Sequence, residues 1–320
     1  MGAVIPIPGY ANSLTPFNTA FGLAKAGNQG TISGTNNVAV GNAAGGNITT
    51  GSNNTVIGAG GAGGDITTGS GNTAVGEAAM AFDTTGIYNT AFGIGTLTQA
   101  NTGYNVALGA YALNAFTGGA TVAVGETALN ALTTGVQNTA VGQSAGKALT
   151  TGHLNVAIGY QALYQSTTAS NCIAIGPQAL ADYVAADTTY NCNSVAIGSN
   201  ALGLFTGAVA AAENVAIGTS ALGVMTIGQF CNAVGVQAMQ NVTAPTAGWN
   251  NAFGTSCLGG MTTGNYNTAI GHGTGYGVGA PGQGAANQLT TGSHCTFIGL
   301  QSGYGSTAQN NYVSVFGSEA

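Results

Sequence analysis

Charge is what this chain most lacks. Only Lys25 and Lys147 are basic, eight residues are acidic, and charged side chains make up 3% of the sequence, against ~25% in ordinary soluble domains. Without a basic patch, no nucleic-acid partner held by phosphate neutralisation is expected. The carboxylates (Asp65, Glu77, Glu126, Asp182, Asp187 and Glu213 among them) are scattered, so neither an acidic tail nor a pair suited to general acid–base work can be assembled. No apolar run approaches the ~18 residues of a membrane helix, and no heptad stretch suggests a coiled coil. Residues 1–16 contain Ile5-Pro6-Ile7-Pro8-Gly9 without a basic start, unlike a secretory signal. The five cysteines have no zinc spacing; Cys172, Cys231 and Cys295 recur in one repeat slot and read as small packing residues. Cys172 and Cys192 are the one pair placed for a disulfide between neighbouring coils. His153, His272 and His294 lie in separate repeats, with no Ser-His-Asp order around them. The sequence therefore points away from an enzyme and calls for no metal and no cofactor.

What the chain has in abundance is glycine, 56 residues, and much of it is periodic. The motif Asn-Thr-Ala-Val-Gly and its variants recur from Asn18–Gly22 to Val313–Gly317 in seventeen copies, mostly 16 to 18 residues apart. A fixed period of this length marks a stack of repeats. Each copy reads as a short strand, a glycine bend, a second short strand and a turn. The second strand carries pairs such as Ala112-Leu113 and Ala128-Leu129; the turn is Thr-Thr-Gly, as at Thr133-Thr134-Gly135. Stacked copies make a parallel β-solenoid, and seventeen coils at ~4.8 Å give a rod of roughly 80 Å. The recurring Asn four residues before the glycine (Asn37, Asn54, Asn72, Asn89, Asn105) suits a coil-to-coil amide ladder.

Side chains alternate along a strand. Val156 and Ile158 therefore share one face, which we assign to the coil's interior, and Ala157 takes the other. Alanine holds that slot in fourteen of seventeen copies, where a solvated face would carry Thr, Ser, Lys or Glu. Ala91, Ala107, Ala123, Ala140, Ala157 and Ala174 are accordingly expected to contact another copy of the chain. The adjacent threonines belong to turns rather than to the flat Thr-x-Thr face of an ice-binding solenoid, which leaves ice binding a minor alternative. Gly60–Asp65 resembles a single calcium-binding nonapeptide, and a spacer turn accounts for it.

Ser194-Val195-Ala196-Ile197-Gly198 and Asn214-Val215-Ala216-Ile217-Gly218 resemble the head repeats of trimeric autotransporter adhesins. The longer period, with Ala-Leu and Thr-Thr-Gly, is similar to the version found in bacteriophage tail fibres. The likeness spans about residues 17–317. It implies a left-handed β-roll with three chains side by side as a homotrimer. It further implies a non-enzymatic fibre on a virion surface contributing to host attachment, with a bacterial adhesin head or secreted filament as the alternative.

The expected layout is an attachment leader at 1–16 that meets a virion tail or baseplate protein, repeats over 17–317, and a short end at 318–320. Insertions fall near 177–193, 203–213 and 273–290. Insertions in repeat proteins become outer loops, so Tyr183, Tyr190 and Tyr276 are candidate contacts to a receptor such as a cell-surface glycan; Trp249, the sole tryptophan, starts a repeat copy of its own and joins them as a large rigid surface.

Overall fold

The computed structural model describes residues 18–21, 33–183, 192–205, 213–225, 228–242, 247–261, 264–273, 292–303 and 311–318. The leader 1–16 and the centres of the three insertions lie outside them. The chain forms two compact units, Met1–Gly152 and His153–Ala320. Each is an all-β parallel solenoid, with no helix among the described residues.

Among the described residues, the first unit holds eight three-residue strands, from Thr19–Phe21 and Val38–Val40 to Thr139–Val141. Each pairs in parallel with the next copy of the motif, as in Val106↔Val122 and Val122↔Thr139. The described residues of the second unit hold nine such strands, from Val156–Ile158 to Ser314–Phe316. Its register survives the insertions: Ile173 pairs with Val195, and Thr268 with Thr296.

The strand faces are the reverse of the sequence expectation. Ala91, Ala107, Ala123, Ala140, Ala157 and Ala174 are 0–2% exposed within the single chain. They point into their own coil and are not available to a neighbour. The residue before the glycine points out: Phe92 is 57% exposed and Ile158 37%. The reason is width. The interior is shared by the alanine, by the buried pair after the bend (Ala112-Leu113, Ala162-Leu163), and by a large residue before the turn such as Ile66, Phe116 or Leu132. A methyl group is what fits between them.

Two coils demonstrate this limit by exchanging volume. Phe297 occupies the alanine slot and is buried. Across from it Gly303 replaces the usual leucine, and a Cβ there would lie 2.5 Å from the Phe297 ring. Val56 fills the slot in another coil, opposite Gly63, where a Cβ would lie 2.9 Å from a Val56 methyl.

The motif glycine is needed twice over. Gly109 sits at φ +127°, and a Cβ on it would come within 2.6 Å of the Gly125 carbonyl one coil away, too close for any side chain. Beyond the bend, among the described residues, a second strand forms only in the second unit. There Asp182–Tyr183, Leu204–Phe205, Val224–Met225 and Asn241–Val242 pair in parallel. Elsewhere the chain alternates positive and negative φ, as at Tyr111 (+58°) and Leu113 (+48°). Its N–H groups bond to adjacent coils, Tyr111 to Ile94 and Leu113 to Ala128. A leucine in this region costs about 1–2 kcal/mol, which its burial offsets.

The amide ladder forms as expected. The Asn54 N–H donates to Asn37 Oδ1 at 3.0 Å, and Asn54 Nδ2 donates to the Gly69 carbonyl at 2.8 Å. Asn72 repeats both bonds one coil on. Asn37, Asn54, Asn72, Asn89 and Asn105 are all buried, so the side chains complete backbone hydrogen bonding that would otherwise be lost. In the turns, Thr49, Thr67, Thr117 and Thr133 donate their hydroxyls to the carbonyl of a threonine one coil away.

Candidate functional site: an aromatic corner and an apolar strand face

Two surfaces stand out, and both follow from single slots of the repeat. The first is the outward strand slot. It reads Phe21, Val40, Ile57, Val75, Phe92, Leu108, Val124 and Val141 in the first unit. In the second unit it reads Ile158, Ile175, Ile197, Ile217, Val234, Phe253, Ile270, Ile298 and Phe316. Every position is apolar, and eleven of the seventeen are exposed. Two residues earlier, the same face carries mostly Thr or Val. Contiguous apolar surface of this kind marks an interaction site.

The second surface lies at the corner two residues before the strand. This residue is held at positive φ: Phe230 +56°, Trp249 +55°, Tyr266 +57°, His294 +60° and Tyr312 +64°. Parallel stacking places these five side chains over one another. Phe230–Trp249 centroids are 5.3 Å apart, and Trp249–Tyr266 5.2 Å. Tyr266–His294 and His294–Tyr312 are each 4.9 Å apart. Interplanar angles run from 13° to 23°. The column is open to solvent, with Trp249 46% and Tyr312 77% exposed. In the first unit Tyr88 and Tyr104 form a shorter stack at 5.5 Å.

Trp249 stands in this column, at the corner of its repeat copy. Tyr183 does not. Its side chain is 1% exposed, in the two-residue strand Asp182–Tyr183, and burial raises its pKa. Its expected display to a receptor is corrected accordingly. Tyr190 and Tyr276 lie outside the described residues. The column was readable in advance: its rings immediately precede Cys231, Asn250, Asn267, Cys295 and Val313, successive copies of one repeat slot.

Cys172 and Cys192 form a disulfide, with Cα atoms 5.5 Å apart. Cys231, Cys257 and Cys295 are buried and are not in disulfides. Burial pushes Cys231 up to about 11 and Cys257 to about 12, far from the thiolate that reactivity needs. Cys172, Cys231 and Cys295 stand in the ladder slot, where their N–H groups donate to Asn155, Asn214 and Asn267. Asp83 is also buried. It accepts a bond from the Gly86 N–H at 2.7 Å, and desolvation raises its pKa to about 6. It takes the turn position that Leu132 and Leu149 fill in other coils.

No family model matches the chain, and no curated protein matches it.

Proposed function

We propose that this chain is a non-enzymatic structural fibre of a virus particle, a tail fibre or similar appendage that contributes to host attachment. The fibre is a side-by-side homotrimer, exposed at the virion surface and joined through residues 1–16 to a tail or baseplate protein. The observation that carries this reading is the outward strand slot, apolar in all seventeen copies and exposed at eleven of them in the lone chain. Packing three such faces together removes them from water at ~25 cal/mol per Å² and leaves closed symmetry. The alanines form the interior of each coil, and Leu108, Val141, Ile158 and their neighbours form the contact between chains. The number three and the viral setting rest on the resemblance to trimeric head repeats of the tail-fibre type. Immunogold labelling with antibodies to the purified chain tests the setting. Label on particle appendages supports it. Label on the bacterial envelope without particles overturns it in favour of an adhesin head.

A further inference from the structure

We propose that the column Phe230–Trp249–Tyr266–His294–Tyr312 is a binding site for an extended, uncharged polysaccharide lying along the solenoid axis of the second unit. This rests on the attachment reading above and relocates its receptor contact from the insertions to the repeat corner.

Four observations converge. First, the rings cover one another's faces and present their edges outward. Ring edges carry the positive part of the aromatic quadrupole and so attract oxygen acceptors. Second, hydrogen-bonding groups sit at those edges and beside them. Trp249 Nε1 and the Tyr266 and Tyr312 hydroxyls belong to the column. Asn265 and Asn311 belong to the preceding slot of the repeat. Their Oδ1 atoms accept the Gly248 and Ser293 N–H groups, which fixes the amides and adds their Nδ2 groups, donors by nature, beside the column. A row of donors next to electropositive edges fits a ligand rich in hydroxyl and ether oxygens. Third, the second unit contains four carboxylates (Asp182, Asp187, Glu213 and Glu319) and no Lys or Arg, so an anionic polymer would meet a like-charged surface without a permanent cation. A neutral chain fits and an acidic one does not. Fourth, the spacing of 4.9–5.3 Å is fixed by the coils and close to the advance per sugar of an extended β-1,4-linked chain. Successive sugars can therefore meet successive rings in one register, and the rings are held in place before the ligand arrives.

The sole tryptophan is in this column, so its fluorescence reports the site directly. The full-length protein is titrated with linear hexasaccharides of β-1,4-linked glucose and of β-1,4-linked N-acetylglucosamine, with hyaluronate as the acidic control. Calorimetry is run alongside. A saturable change in Trp249 emission with a neutral hexasaccharide, and none with hyaluronate, is expected. Tyr266→Ala, and separately Tyr312→Ala at the end of the column, should each weaken binding about tenfold. Tyr88→Ala in the first unit should leave it unchanged. The Tyr312 ring is mostly exposed, so that variant keeps the test valid if Tyr266→Ala perturbs folding. The proposal is overturned by no response to either neutral hexasaccharide, by hyaluronate binding as well, or by undiminished binding in Tyr312→Ala. A trimer without a glycan response overturns this proposal alone. A monomer that responds overturns the trimeric fibre and leaves the site standing.

Discussion

The exchange of volume between Phe297 and Gly303 predicts a strong coupling between two positions. Phe297→Ala removes a buried ring from a narrow coil and should cost ~3–5 kcal/mol. Gly303→Leu places a Cβ 2.5 Å from the Phe297 ring and should cost ~1–3 kcal/mol by overpacking. If the two effects were independent, the double variant would lose roughly 4–8 kcal/mol. It instead recreates the alanine–leucine pairing of coils such as Ala107 with Leu113. Leucine tolerates the backbone there, since Leu113 and Leu258 hold φ of +48° and +50° in the matching slot. The double variant should therefore fall only ~1–2 kcal/mol below the wild type, the backbone cost of a left-handed leucine. That implies a coupling of at least ~2 kcal/mol. Urea unfolding followed by Trp249 emission reads the second unit, where both residues lie. Additivity of the two losses to within ~0.5 kcal/mol would refute the claim that these side chains share one space.

Asp83 should make the first unit less stable as pH rises. Its folded pKa of about 6 lies above the ordinary carboxyl value of 3.8, so between those values the unfolded chain has ionised while the folded chain holds its proton. Stability is then full below pH ~4, falls through the window and levels off above pH ~6, with a total loss of up to ~3 kcal/mol. Asp83→Asn retains an acceptor for the Gly86 N–H and should flatten that slope in thermal melts taken from pH 4 to 7. Asn54→Ala should cost ~1–3 kcal/mol by leaving the Asn72 N–H without its acceptor, read as lost hydrogen-exchange protection at Asn72. Gly109→Ala should cost more than ~3 kcal/mol, because the clashing atoms are backbone and cannot rotate away. A melting temperature within a few degrees of wild type would contradict that.

The repeat, the parallel stacking, the asparagine ladder and the turn threonines were all legible in the sequence, because each depends on identity at a fixed spacing. Which strand face is interior was not. The alternation of Val156, Ala157 and Ile158 shows that two faces differ. Assigning the larger residues to the inside follows the usual rule for a roomy core, and these coils are too narrow for it. Only the opposite wall, with Leu113 and Phe116 against Ala107, shows that the small face is the inner one. The aromatic corner was present in the sequence as five rings before five successive ladder slots. Its meaning depends on the positive φ that turns them outward into one column. Tyr183 shows the converse: a large residue next to an insertion, taken for an exposed contact, is drawn into a local parallel sheet instead.

The outward strand face is the centre of the functional account, and the mass of the assembled protein tests it most directly. Light scattering should give three times the 31.0 kDa of one chain. Charging the face with Leu108→Glu and Val141→Glu should release folded single chains by like-charge repulsion and desolvation. Ala123→Leu, by contrast, should lower the stability of the chain itself by ~1–3 kcal/mol. A wild-type chain that stays monomeric at high concentration, or a trimer that survives both glutamates, would contradict the account.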